Sequence, residues 1–261
     1  MSTFAFYSDL HLEFPNQLKV FDFNLLPKAD YLLLAGDILV AAALDKIPYS
    51  FSAERFKMLV HATKRYKRVF YIAGNHEHYH GNFTTTHRIL RDYTADTNIT
   101  IAEDDLFDLG DCNLFAATLW TDYNKNSPFA IAAITRGMND YKLIEDFDKP
   151  TALNAHNATR QKILGLPRNK PLVVMTHHAP SHLCNGNDHA LSSIAAAYYS
   201  NLEDMFGPHI PIWVSGHTHH CIDKTINGTR LLSNSLGYVG HEPQTGFRMD
   251  ATFTIGDKRD S

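Results

Sequence analysis

Short apolar runs, each too brief for a helix, recur along this chain and are separated by longer amphipathic stretches. Residues 3–7, 31–35, 69–73, 172–175 and 212–215 form these runs, and their aromatic and β-branched content predicts buried strands. Between them, residues 52–65, 84–93, 152–164 and 192–205 carry the pattern of helices. Strands that alternate with helices predict a layered α/β fold. The middle section reads as a hairpin, with strands at residues 106–109 and 114–117 around Gly110-Asp111. A β-meander is predicted after Gly216: residues 221–226, a tight turn at Asn227-Gly228, then residues 229–233. The last strand is expected within residues 248–255. Nothing in the sequence resembles a repeat, a low-complexity tract or a linker, so one domain over residues 1–261 is expected. Its predicted form is two packed mixed β-sheets, a β-sandwich, flanked by α-helices.

The residues just after each run are more telling than the run itself. Tyr7 leads into Ser8-Asp9-Leu10-His11, Ala35 into Gly36-Asp37, and Ala73 into Gly74-Asn75-His76-Glu77. Met175 leads into Thr176-His177-His178, and Ser215 into Gly216-His217-Thr218-His219. All five runs therefore end in a side chain able to bind metal. Sites in open α/β sheets form outside the carboxyl ends of strands, so parallel runs would bring these tips to one crevice. Glycine precedes Asp37, Asn75 and His217, where it allows a tight turn and a close approach of backbone. Asp9 and His11 are two residues apart, as are His217 and His219, and in extended backbone each pair would face one side.

The ordered blocks Asp-x-His, Gly-Asp, Gly-Asn-His-Glu, His and Gly-His-x-His resemble the calcineurin-like metallophosphoesterase superfamily, and every block is present between residues 9 and 219. The resemblance implies one metal held by Asp9, His11, Asp37 and His219. It implies a second held by Asp37, Asn75, His177 and His217, with Asp37 shared and His76 acting on the substrate. A β-sandwich flanked by helices is the fold it implies. Such a site suits phosphate esters, whose oxygens repel an anionic nucleophile: two divalent ions clamp the attacking and leaving oxygens and lower the pKa of a bound water. The expected reaction is in-line attack by a metal-bridging hydroxide, with His76 as an imidazolium that stabilises the phosphoryl oxygen or protonates the leaving group. Nitrogen and oxygen ligands without thiolate suit manganese, iron or zinc.

The second block runs Gly36-Asp37-Ile38-Leu39-Val40-Ala41-Ala42 and lacks the Asp and Arg that extend it in the protein Ser/Thr phosphatases of this superfamily. The small phosphodiesterase-like branch is the better match, and the partner of His76 is open between Glu77 and an aspartate elsewhere. Trp120, Tyr123, Arg136 and Asn139 form two aromatic-polar stretches that read as a rim around the leaving group, with Arg136 on phosphate and a base stacked on Trp120 or Tyr123. Ordinary loops packed by their aromatics are the competing interpretation. Of sixteen histidines, His78, His80, His178 and His220 read either as groups that support the ligands from behind or, the preferred reading, as solvated neighbours of the blocks, and His189 has no motif context.

A net charge of −4 weighs against a nucleic-acid partner. The three cysteines are far apart, which predicts reduced thiols in a cytoplasmic protein. The longest apolar run, residues 38–44, is too short for a bilayer, so no membrane partner is expected. The expected substrate is a small phosphate ester, nucleotides included. A nuclease on the same metals, or a scaffold that kept the fold without catalysis, are the alternatives.

Overall fold

The computed structural model describes residues 1–46, 50–186 and 192–256, so His189 lies outside the described residues. The strands are β1 (Thr3–Tyr7), β2 (Tyr31–Ala35), β3 (Arg68–Ile72), β4 (Gly81–Asn82), β5 (Ile99–Ala102), β6 (Asp105–Asp108) and β7 (Asn113–Ala117). They continue with β8 (Ile144–Glu145), β9 (Leu172–Thr176), β10 (Ile212–Val214), β11 (Ile222–Ile226), β12 (Thr229–Ser233) and β13 (Thr252–Thr254). One sheet has the order β13-β1-β2-β3-β5, and the other β11-β12-β10-β9-β7-β6. Strands β1, β2, β3 and β5 are mutually parallel, as are β7, β9, β10 and β12, while β13, β11 and β6 are antiparallel edges. A parallel pair, β4 and β8, stands apart.

The continuous apolar runs make sense because both faces of the central strands are covered. Phe4, Phe6, Leu33, Ala35, Phe70 and Ile72 meet Leu114, Val173, Met175, Ile212 and Val214 between the sheets. The alternate residues Tyr7, Leu34, Val69 and Tyr71 pack outward on Phe56, Leu59 and Leu90 of the helices Phe51–Thr63 and Thr86–Thr94. On the far side Phe115, Val174, Trp213 and Leu231 pack on Ile163 of the helix Lys149–Leu164. The fold is thus two packed mixed β-sheets flanked by helices, as the strand pattern predicts.

One expected helix fails to form, and one helix arises unannounced. Residues 192–205 form only short 3-10 turns at Ala195–Ala197 and Glu203–Met205. The loop after β9 captures their backbone instead: Ala179 N–H donates to Tyr198 O, Ser200 N–H to Ala179 O, and Leu202 N–H to Pro180 O. Those tertiary bonds satisfy groups a helix would have satisfied locally, and they override the alanine-rich propensity. Conversely Pro128–Gly137 is a helix that the apolar pattern does not announce. Its proline sits at the first turn, where the missing N–H costs nothing.

Candidate metal centre

The carboxyl ends of β1, β2, β3, β9 and β10 open on one crevice, and each delivers its block there. Asp9, His11, Asp37, Asn75 and His177 are each 2% exposed or less. Three groups of side chains place ligand atoms within 4.8 Å of one another: Asp9, His11 and His219; His11, Asp37 and His76; and Asp37, His177 and His217. Within the first, Nε2 of His11 and His219 lie 3.2 Å apart, and His219 Nε2 is 3.5 Å from Asp9 Oδ1. Asp37 stands between the groups, its Oδ2 3.9 Å from His11 Nε2 and its Oδ1 3.4 Å from His177 Nε2. His177 Nε2 is 3.1 Å from Asn75 Oδ1 and 3.2 Å from His217 Nδ1.

Backbone conformation brings the atoms together, and it is not the extended one expected. Asp9, His11, Asp37, His217 and His219 have φ of 53°, 45°, 55°, 65° and 47°. Left-handed backbone costs a non-glycine residue about 1–2 kcal/mol, so the fold holds these ligands against a local preference, a pattern that concentrates at functional sites. The two-residue spacing therefore does not place Asp9 and His11 on one side of a strand; the turn does. Close packing explains the glycines: a Cβ on Gly74 would lie 2.2 Å from Asp37 Oδ1, and one on Gly36 2.5 Å from His177 Nδ1.

The far nitrogen of three of the four ligand rings is also held. Nδ1 of His11 meets Glu13 Oε1 at 3.1 Å, Nδ1 of His219 meets Glu242 Oε1 at 2.7 Å, and Nδ1 of His177 meets Ala35 O at 2.9 Å. Carboxylates and carbonyls only accept, so each Nδ1 carries a proton and each Nε2 is the atom turned into the crevice, free to bind metal once it gives up any proton of its own. Asp140 does the same for Asn75. Its Oδ1 accepts from Asn75 Nδ2 at 2.9 Å and from Tyr79 Oη at 2.7 Å, which leaves the amide oxygen facing His177. His217 Nε2 has no hydrogen-bond partner among the described residues.

Facing ring nitrogens and buried carboxylates need positive charge. Burial opposes ionisation of Asp9, but the hydrogen bond and charge of His219 outweigh it, and its pKa falls to about 2. Asp37 is likewise held well below the ordinary range by His177 and His76 against its own burial. Burial also works against charged imidazole, yet Asp37 lifts His177 to about 9, and Asp9 with Glu242 lifts His219 to about 10. His11 and His217 fall below the usual value, chiefly by burial. Protons can supply this charge; the donor set, with nitrogens 3.2 Å apart around a shared carboxylate, fits metal ions as well.

His76 lines the mouth. Its Nδ1 is 3.1 Å from Glu13 Oε1 and its Nε2 3.0 Å from Tyr238 Oη. Among the described residues Glu77 makes no hydrogen bond to this ring, and the aspartate that does reach His76, Asp37, accepts from its backbone N–H at 2.8 Å. Glu77 is buried and accepts instead from N–H of Gly74, Ile38 and Asp37 at 2.6, 2.7 and 2.9 Å and from Tyr71 Oη at 2.7 Å, tying two ligand loops together. Glu13, Asp140, Tyr238 and Glu242 thus join the site without having been read from sequence as members. Glu13 continues the Asp9-x-His11 spacing by one more step, a usable signal; Tyr238 and Glu242 lie in a loop with no motif.

The rim residues scatter. Trp120 packs on Phe147 and His178 and Tyr123 is 1% exposed in the same cluster, so the loop-packing alternative describes both. Arg136 ends the helix Pro128–Gly137 with an exposed side chain outside the crevice lining, whereas Asn139 lines the crevice. His78 and His178 are not solvated: both are buried, His78 against Phe83 and His178 against the His217 ring. His80 and His220 are exposed.

Among the described residues no helix is long and apolar enough to cross a membrane. Sequence comparison finds a protein of Acanthamoeba polyphaga mimivirus, "Uncharacterized protein L509", 27% identical over 279 residues and 93% of each chain. Among solved structures, the phosphopantetheinyl hydrolase of Mycobacterium tuberculosis superposes with a TM-score of 0.69 at 19% identity, over 90% of this chain and 89% of that one. A dimetal phosphatase from Danio rerio gives 0.50 at 13% identity, over 89% and 86%. Likenesses at such identity speak for the fold. A sequence profile described as calcineurin-like phosphoesterase matches residues 2–221. With that match across most of its length, on this fold and around this cluster, the chain belongs to the calcineurin-like phosphoesterase family and is a phosphoester hydrolase.

Proposed function

We propose that the protein is a phosphodiesterase or phosphatase of small phosphate esters that works with two metal ions of the manganese, iron or zinc type. Asp9, His11 and His219 hold one ion, Asn75, His177 and His217 the other, and Asp37 lies between them. The observation that carries this reading is the convergence of imidazole nitrogens on two buried carboxylates, with the remaining nitrogens of His11, His177 and His219 already committed. When bound, the ions supply Lewis acidity and a water of lowered pKa.

His76 acts beside them. Burial disfavours its charge, but Asp37 and Glu13 more than compensate and raise its pKa, which favours the imidazolium form. Glu13 fixes one nitrogen, and the other presents its proton at the mouth of the crevice, beside Tyr238. There it stabilises charge on a phosphoryl oxygen or protonates the departing alkoxide. Tyr238 also packs edge-on against His219 and limits the tilt of both rings.

Hydrolysis of bis-p-nitrophenyl phosphate and p-nitrophenyl phosphate, with and without added Mn²⁺, tests the proposal. Metal-dependent release of nitrophenolate is expected. No release from either ester under manganese, iron or zinc would favour a non-catalytic scaffold, and faster cleavage of oligonucleotides would favour a nuclease.

A further inference from the structure

Above the ligands the crevice widens to about 760 Å³, a volume typical of sites that enclose a small organic ligand. Its upper wall is built by Val40, Ala43, Met138, Leu143, Ile194 and Tyr198. The wall is packed, not incidental: the Gly137 backbone approaches Ile194 so closely that a Cβ there would lie 2.9 Å from Ile194 Cγ2. None of the described residues lining the crevice is lysine or arginine. Its carboxylates at the mouth are already committed, Glu13 to His11 and His76 and Glu242 to His219. Among the described lining residues, a second anionic group on a substrate would therefore find no lysine or arginine, and only His80 beyond the histidines of the ligand cluster. A nucleobase would find neither Trp120 nor Tyr123, which pack with Phe147 and Ile134; of the aromatic rings that line the crevice, Tyr79 and Tyr238 are engaged by Asp140 and His76.

Resting on the phosphoesterase reading above, we infer that this crevice selects phosphate esters whose organic arm is uncharged and largely apolar, an alkyl or aryl group, over nucleotides. The phosphate is recognised at the ligand cluster. The arm gains by leaving water against the wall, at about 0.8 kcal/mol for each buried methylene.

Competitive inhibition of p-nitrophenyl phosphate hydrolysis by the Mn²⁺-loaded protein tests this. The probes are methyl-, butyl- and hexylphosphonate together with adenosine and cytidine 5′-monophosphate. Inhibition constants should tighten with chain length, between about two- and fourfold per methylene. Hexylphosphonate should bind at least about tenfold more tightly than either nucleotide. In Ile194→Asn and Val40→Thr the dependence on chain length should flatten, while methylphosphonate keeps competing. Inhibition constants indifferent to chain length, or nucleotides that bind more tightly than hexylphosphonate, would overturn the inference and leave the phosphoesterase reading standing. Absence of hydrolysis of any ester would overturn both.

Discussion

Glu77→Gln is the substitution whose cost the structure determines most directly. The native carboxylate accepts from Asp37 N and Gly74 N through Oε2 and from Ile38 N and Tyr71 Oη through Oε1. Three of these partners are backbone N–H groups that can only donate, so an NH₂ at either position leaves at least one of them without an acceptor. With the NH₂ on the Oε1 side, Tyr71 Oη can turn to accept from it and the buried Ile38 N–H loses its acceptor, at about 1–3 kcal/mol. Against that, glutamine removes a charge that burial and the nearby Asp37 disfavour; these push the Glu77 pKa up to about 7. A net loss of about 2 kcal/mol remains, and about 2–4 °C per kcal/mol converts this into a fall in Tm of about 4–8 °C. Thermal melts of the metal-free protein in EDTA measure it without contributions from bound ions. Manganese content after reconstitution should fall too, because Glu77 spaces the loops that carry Asp37 and Asn75. A variant that melts within about 2 °C of wild type and retains its metal would refute the reasoning.

The same geometry supports further predictions. His76→Ala should lower kcat by about 10²–10⁴-fold while metal content by elemental analysis stays near wild type; equal turnover would remove His76 from the chemistry. Asp140→Asn should weaken manganese binding about 10–100-fold, as loss of a residue that orients a ligand does, because an amide can turn Asn75 around; titration of the metal-free variant checks this. Asp30 is held at about 2 by the hydrogen bond from Lys67 and by those from Thr3. Its folded pKa lies below its unfolded one, so its contribution is present above pH ~4 and fades as pH falls toward ~2. The difference in Tm between wild type and Asp30→Asn should accordingly shrink over that interval; a difference constant from pH 5 to 2 would contradict it.

Strands β1 and β2 and the ligand blocks at the ends of the runs were legible because both are local. A strand buried on two faces writes an unbroken apolar run, and the residue after it inherits the end of the sheet. The groups that finish the site are tertiary. Glu13 reaches His76 across 63 positions and Asp140 reaches Asn75 across 65, and no periodicity records such a contact. Trp120 and Tyr123 look like rim residues in an aromatic-polar stretch, yet they pack in the cluster with Phe147 and Ile134. The alanines at residues 195–197 favour helix, but Ala179 and Pro180 compete for the surrounding backbone and win. The left-handed turns at Asp9 and His11 are equally silent in sequence, since neither residue type demands them.

Anomalous diffraction from crystals grown with Mn²⁺ tests the central claim most directly. Two manganese peaks are predicted in the crevice, one contacted by Asp9, His11 and His219 and one by Asn75, His177 and His217, with Asp37 touching both. A crevice free of anomalous density under saturating metal, or peaks bound by other residues, would contradict it.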